Sequence, residues 1–218
     1  TFIVFPMVSR ALASNDEDAA RRTIQGALRF SMLALLAIAC PIAGASDGVM
    51  RIAYPEAYLA GAPALGALVF GIAAFALFVI TATVLTSAGQ PRVAALIAGV
   101  SLGVVLVATR FFITAAGPTN DALLATALGT CTGTVFALLG AGAAVYTRFK
   151  AFLPPLSVIR GGLAGAGAFF AAAFIPHGSR IMSIAALAGG FAAFLLGLVL
   201  TGELGKAELK AGRSALGV

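Results

Sequence analysis

Arg110 is the residue of this chain whose type and setting best suit binding chemistry. It lies in the apolar segment 93–115, where Phe111, Phe112 and Ile113 follow it. A guanidinium group in such a segment is costly unless it faces a cavity, a partner or a membrane interface. Two interpretations stay open. Arg110 binds an anion such as a lipid-linked phosphate, or its side chain extends to the polar headgroups, since only about five residues remain before the segment ends.

Hydroxyl side chains at helical spacing form a second candidate, in and just after the apolar segment 62–88. Thr83, Thr86, Ser87 and Gln90 follow the spacing i, i+3, i+4, i+7, which places them on one face of a helix. Such a face can line a polar cavity. Its hydroxyls can equally bond a neighbouring helix, or the carbonyl four residues earlier in their own helix.

A third set lies in the segment 122–146, where Thr126, Thr130 and Thr134 repeat every four residues. The same alternatives apply to this stripe, namely a cavity lining or hydrogen bonding within and between helices. Together with Arg110, the hydroxyl groups are candidates for the wall of a substrate cavity.

Arg51 is the last candidate, and it precedes the segment 62–88 in a polar stretch that also holds Glu56 and Tyr58. These side chains form either the rim of a cavity or an ordinary solvated loop. A tyrosine at this position suits the interface between membrane and water.

Several kinds of chemistry have no residues to support them. The chain has no Walker loop, no HExxH motif and no Ser/His/Asp or Cys/His set, and His177 stands alone in a loop. The sequence therefore predicts neither an enzyme nor a cofactor or metal site. No Asp, Glu or Lys falls inside the apolar segments, although ion-coupled carriers usually need such groups there. Any coupling site is expected to use neutral oxygens or to lie upstream.

The composition indicates that these segments lie in a lipid bilayer. Hydrophobic residues make up 61% of the chain and charged residues only 10%, and the mean hydropathy is +1.05. Soluble domains carry roughly 25% charged residues. The net charge of +6 is not accompanied by basic runs with interleaved aromatic residues, so nucleic-acid binding is not indicated.

The apolar runs predict an all-α fold, a polytopic bundle of about six transmembrane helices. Most runs approach the ~20 residues that cross a bilayer. The predicted spans are 27–45, 62–88, 93–115, 122–146, 161–175 and 181–202. Residues 1–8 are expected to end a helix that began upstream. A short surface helix then starts near a capping box formed by Ser14 and Glu17.

The basic residues predict the orientation of the bundle. If the spans alternate in direction, eleven of the 14 Lys and Arg residues fall on the side of the leading polar stretch and three, Arg51, Arg110 and Arg180, on the other. Basic residues collect on the cytoplasmic side. Both ends of this chain are therefore expected in the cytoplasm.

Small residues predict close helix packing, since Gly pairs at GxxxG spacing let helix backbones approach each other in lipid. Three pairs have this spacing, Gly99/Gly103, Gly129/Gly133 and Gly161/Gly165.

Three segments together resemble a known family. They are FPMVSRALASNDEDAARRTIQGALRF, RIAYPEAYLAGAPALGAL and TSAGQPRVAALIAGV. They are similar, in the same order, to a Phe-Pro helix end with an amphipathic stretch, an outer loop with a tyrosine, and a tight turn in polysaccharide flippases. These proteins form the polysaccharide-biosynthesis branch of the multidrug/oligosaccharidyl-lipid/polysaccharide exporter superfamily.

The resemblance implies an architecture of two six-helix bundles followed by two extra helices. Under this mapping, residues 1–147 are the end of the eighth helix and helices nine to twelve, and residues 148–218 are the extra pair with a cytoplasmic tail. Most of the family's cavity is lined by earlier helices, and Arg110 matches no motif of the family.

The resemblance also implies a function. The protein would carry a lipid-linked oligosaccharide or a peptidoglycan precursor from the cytoplasmic to the outer leaflet of the bacterial inner membrane, by alternating access. Its partners would be the lipid-linked sugar, membrane lipids and polysaccharide polymerase or assembly proteins. The alternatives are a cation-coupled multidrug extruder, or a non-transporting scaffold of a polysaccharide assembly complex.

Overall fold

The computed structural model describes residues 17–117, 122–176 and 178–203, and within them the chain is helical with no strand. The helices are α1 (Glu17–Gly44), α2 (Ser46–Ala53), a 3-10 helix (Glu56–Gly61), α3 (Ala62–Ser87), α4 (Pro91–Ala116), α5 (Ala122–Phe149), α6 (Pro155–Phe174) and α7 (Arg180–Leu200). Six of them are long and apolar enough to cross a membrane. The predicted all-α bundle of six spans is confirmed.

Helix α1 is longer than the predicted span 27–45. It has 28 residues and a length of about 42 Å, more than the ~30 Å of a hydrocarbon core. Its polar first turns are therefore continuous with the span and do not form a separate surface helix. The predicted capping box and the predicted helix end at residues 1–8 lie outside the described residues.

Proline explains where two other helices begin. Pro155 stands at the start of α6, six residues before the predicted start of that span, and Pro91 starts α4. Proline suits this position because its fixed φ is already helical and its missing N–H would have no partner there. Helix α7 begins differently, since the Ser179 hydroxyl accepts a hydrogen bond of 3.3 Å from the backbone N–H of Met182.

The stretch before α3 is more ordered than the loop predicted there. Helix α2 follows α1 after a turn at Ala45, and it buries Gly48 and Met50 against its neighbours. It packs against α3 and α7. The predicted interfacial tyrosines, Tyr54 and Tyr58, are exposed and lie 5.9 Å apart between ring centroids.

The six long helices pack in the spatial order α4, α5, α3, α1, and then the pair of α6 and α7. Helix α1 therefore separates two halves. One apolar core joins its Ile24 and Leu28 to α3 and α5. A second core joins its Ala37 and Cys40 to α6 and α7.

Glycine makes the closest approaches between these helices. A Cβ added at Gly129 or Gly133 of α5 would collide with Thr109 or Val105 of α4, respectively. Because the paired residue numbers run in opposite directions, α4 and α5 are antiparallel. This antiparallel arrangement agrees with the prediction that successive spans alternate in direction.

The other two Gly pairs differ from each other. Gly161 faces Leu33 of α1, and Gly165 approaches the Sγ atom of Cys40, so this pair also lies in a helix seam. Gly99 and Gly103 face open space. Small residues at GxxxG spacing therefore mark contacts between helices in two of the three predicted places.

The bundle has one basic end, defined here as the end at which α1, α4 and α6 begin. It carries Arg21, Arg22, Arg29, Arg92, Arg148, Lys150 and Arg160 among the described residues. The opposite end carries Arg51, Arg110 and Arg180. The remaining basic residues of the chain lie outside the described ranges.

The seam between α4 and α5 gives a test of packing. We expect Gly129→Ala to lower the free energy of unfolding by about 1–3 kcal/mol, because its methyl group has no room against the α4 backbone. Gly99→Ala is the matched control, since nothing lies within 4 Å of a Cβ there. Unfolding in mixed detergent micelles measures both, and equal stability of the two variants would contradict the assignment.

Candidate functional site

A polar pocket lies between α4 and α5, towards the end opposite the basic end. Its volume is about 740 Å³. The polar lining residues are Arg110, Thr109, Thr114, Thr126 and Thr130, and the apolar ones are Val105, Leu106 and Ile113. We call this cavity the Arg110 pocket. It brings together three of the predicted site residues, Arg110, Thr126 and Thr130.

Arg110 is exposed, and among the described residues it forms no ion pair with a carboxylate. Its Cα lies about 9 Å along the helix from the end of α4 at Ala116. A guanidinium group carries five N–H donors in a planar fork that matches phosphate or carboxylate oxygens. At this depth the side chain can serve the pocket and still remain near the headgroup region.

Three of the four threonine hydroxyls that line the pocket donate hydrogen bonds within their own helices. The hydroxyl of Thr126 donates to the carbonyl of Ala122 at 2.7 Å, and that of Thr130 donates to the carbonyl of Thr126 at 3.0 Å. Thr114 donates likewise to the carbonyl of Arg110 at 2.7 Å. Because a hydroxyl has a single O–H but two lone pairs, these groups can still accept hydrogen bonds. The pocket thus offers one strong cationic donor and a row of acceptors.

The predicted residues of α3 lie elsewhere. Thr83, Thr86 and Ser87 are near the end of α3 at the basic end of the bundle and do not line the Arg110 pocket. Their hydroxyls donate to the carbonyls four residues earlier, each at 2.8 Å. The structure therefore does not join this hydroxyl face to Arg110.

Arg51 is also separate from the pocket. It is exposed in the last turn of α2, a helix that packs against α3 and α7, whereas the pocket lies between α4 and α5. Arg51 and Arg110 share only the end of the bundle at which they lie.

Sequence reasoning missed two of the pocket residues, Thr109 and Thr114. Thr114 could have been found from its distance to Arg110, since a residue four positions later lies on the same helix face. Thr109 gave no such signal, because adjacent residues of a helix point in different directions. The alignment of these two threonines with Thr126 and Thr130 depends on how α4 and α5 pack, which the sequence alone does not show.

The other flank of the α4–α5 seam is apolar. It holds a groove of about 540 Å³ that presents a single polar side chain, Thr132. The remaining lining residues are Val100, Gly103, Val104, Val107, Ala108, Phe111 and Phe112. Polar groups are thus gathered on one flank of the seam. Among the described residues, no group of three or more His, Cys, Asp or Glu side chains could hold a metal ion.

The hydroxyl bonds predict which substitutions are mild. We expect Thr126→Val and Thr130→Val to change the free energy of unfolding by less than about 1 kcal/mol, because each removes a hydrogen bond inside its own helix. Unfolding in mixed micelles measures this, with Gly129→Ala as a destabilised reference. A loss as large as that of the reference would mean that the hydroxyls hold α4 and α5 together.

The family model described as lipid II flippase MurJ matches residues 1–159, which include α1 to α5 and the beginning of α6. No curated protein and no solved structure matches the chain.

Proposed function

Because this chain belongs to the lipid II flippase MurJ family, we propose that it moves lipid II from the cytoplasmic to the outer leaflet of the bacterial inner membrane. The protein is a multi-pass membrane protein and a flippase of cell-envelope precursors. The finer steps proposed here are the direction of transport, alternating access and the role of the Arg110 pocket. Rocking of two bundles about a central site is the general mechanism of such carriers.

The Arg110 pocket is the observation that supports a role for this part of the chain in substrate binding. A lipid-linked sugar precursor carries phosphate next to sugar hydroxyls. The guanidinium of Arg110 would bind a phosphate oxygen pair, and the lone pairs of Thr126 and Thr130 would accept hydrogen bonds from hydroxyls.

The position of the pocket suggests when it acts. Basic residues favour the cytoplasmic side, so the basic end is assigned to the cytoplasm and both ends of the chain lie there. The Arg110 pocket then lies near the outer leaflet. Arg110 would hold the headgroup late in the transport cycle, before release.

The other predicted partners follow from the same proposal. The lipid tail would remain among membrane lipids while the headgroup crosses, and assembly proteins would take the precursor on the outer face. Thr83, Thr86 and Ser87 are at the cytoplasmic end under this orientation. Any role of theirs in the cavity would concern loading of the substrate, and Arg51 would belong to the outer rim.

Replacement of Arg110 tests the site. We expect Arg110→Gln to reduce the appearance of lipid II on the outer face at least about tenfold, the effect of losing one charge-assisted hydrogen bond of roughly 1.5–3 kcal/mol. Arg110→Lys, which keeps the charge but loses the planar fork, should retain part of the activity. Outer-face lipid II in cells depleted of their own flippase is the readout.

Arg180→Gln is the matched control for this experiment. Arg180 is an exposed arginine at the same end of the bundle but does not line the pocket. Normal transport by Arg110→Gln at wild-type expression would exclude a role for the pocket. Failure of the intact protein to restore growth of such cells would count against the flippase proposal itself.

Single cysteines test the orientation in a variant that lacks Cys40 and Cys131. We expect Tyr58→Cys to react with a membrane-impermeant maleimide added outside cells, because Tyr58 is exposed before α3. Lys150→Cys, at the basic end, should react only after the cells are opened. The reverse pattern would invert the proposed topology.

A further inference from the structure

A buried carboxylate follows the last membrane span. Glu203 lies three residues after α7, and its side chain is only 2% exposed. Arg29 of α1 contacts it twice, through Nε to Oε1 and through Nη2 to the backbone carbonyl of Glu203, both at 2.7 Å. Arg160 of α6 contacts Oε2 through Nη1 at 3.4 Å. One side chain therefore connects three helices at the basic end.

The surroundings keep Glu203 charged. Burial raises the pKa of this carboxyl, but a hydrogen bond from Ser157 and the contacts with Arg29 and Arg160 outweigh that effect, so the pKa lies below its usual value. A buried charge is tolerated only when it is paired and hydrogen-bonded. Loss of the main partner would leave an uncompensated carboxylate in a poorly hydrated place.

The depth of the three residues strengthens their contact. Arg29 lies about 22 Å along α1 from its far end at Gly44, and Arg160 lies about 21 Å along α6 from Phe174. Since the hydrocarbon core is ~30 Å thick, the group is close to its boundary at the basic end. Water screens the ion pairs less there than on an open protein surface.

Helices α6 and α7 depend on α1 for their attachment to the bundle. They pack against each other and against α1, and α2 adds a smaller contact with α7. Their shared apolar core includes Ala164 and Phe194. In lipid, apolar surface alone gives little drive for helices to associate, so polar contacts and close packing must hold the pair.

We propose that Glu203, Arg29 and Arg160 form a clamp that fastens the α6–α7 pair to α1 at the basic end, so that the three helices move as one body. We call this group the Glu203 clamp. The geometry also ranks its members. Arg29 makes two short contacts and Arg160 one long contact, so Arg29 is the principal partner.

Local exposure of α7 tests the clamp without measuring transport. The probe is Leu198→Cys in the intact protein lacking Cys40 and Cys131, in membrane vesicles, because Leu198 is 4% exposed and lies close to the clamp. Reaction with N-ethylmaleimide reports opening of α7. Val84→Cys is the control probe, since Val84 is 1% exposed near the same end but in the other apolar core.

We expect Arg29→Gln to raise the labelling rate of Leu198→Cys at least about tenfold, because it leaves the buried Glu203 carboxylate without its main partner. Glu203→Gln should raise the rate by a smaller factor, since the Arg29 side chain that it leaves is 32% exposed and can be hydrated. Arg160→Gln should raise it less, by about threefold or under, because its contact is longer. The rate at Val84→Cys should stay unchanged. Arg29→Lys, which keeps the positive charge but loses the planar fork, should raise the rate less than Arg29→Gln.

Other outcomes would overturn the clamp. Unchanged labelling of Leu198→Cys in both Arg29→Gln and Glu203→Gln would show that packing alone holds α7. Equal increases at Leu198→Cys and Val84→Cys would show general unfolding and no local clamp. Because labelling does not depend on substrate, these results are independent of whether the protein flips lipid II.

Discussion

Close approach of helix backbones is the constraint on which this bundle depends. In a bilayer, an apolar side chain gains little free energy when it exchanges contact with lipid for contact with another helix. Helix association therefore depends on van der Waals contact and hydrogen bonds. Gly129 and Gly133 allow α5 to pack closely against α4, and Gly161 and Gly165 allow α6 to pack closely against α1. These two seams, with the contact of α3 and α5, set the order of the helices. They also explain why α4, which packs chiefly on α5, leaves space on both flanks for a cavity.

The Arg110 pocket follows directly from that seam. Glycines of α5 hold α4 at close distance, and the side chains on either side of this seam leave space between the two helices. On one flank they include Arg110, Thr126 and Thr130, and on the other they are almost entirely apolar. Because the hydroxyls of Thr114, Thr126 and Thr130 donate within their own helices, they cannot donate to an anion at the same time, and Arg110 is the charged donor that the pocket offers.

Features that depend on nearby residues could be predicted from the sequence, and features that depend on packing could not. Hydropathy is averaged over one helix, so the six spans and the uneven charge were evident. The prolines explain helix starts that the apolar runs placed too late, as at Pro155. The GxxxG pairs differ in role because only some of them lie on a helix face that contacts another helix. Glu203 was missed since it falls after the last apolar run and its two arginines are 43 and 174 residues away.

That last separation has a consequence for how the protein is made. Translation proceeds at about 5–20 residues per second, so roughly 9–35 s pass between synthesis of Arg29 and of Glu203. During that interval α1 enters the membrane before Glu203, one partner of its Arg29, has been made. The contact can form only after α7 and the residues that follow it have been made. A chain that stops before residue 203 therefore cannot form the Glu203 clamp, and α6 and α7 must rely on their packing against α1.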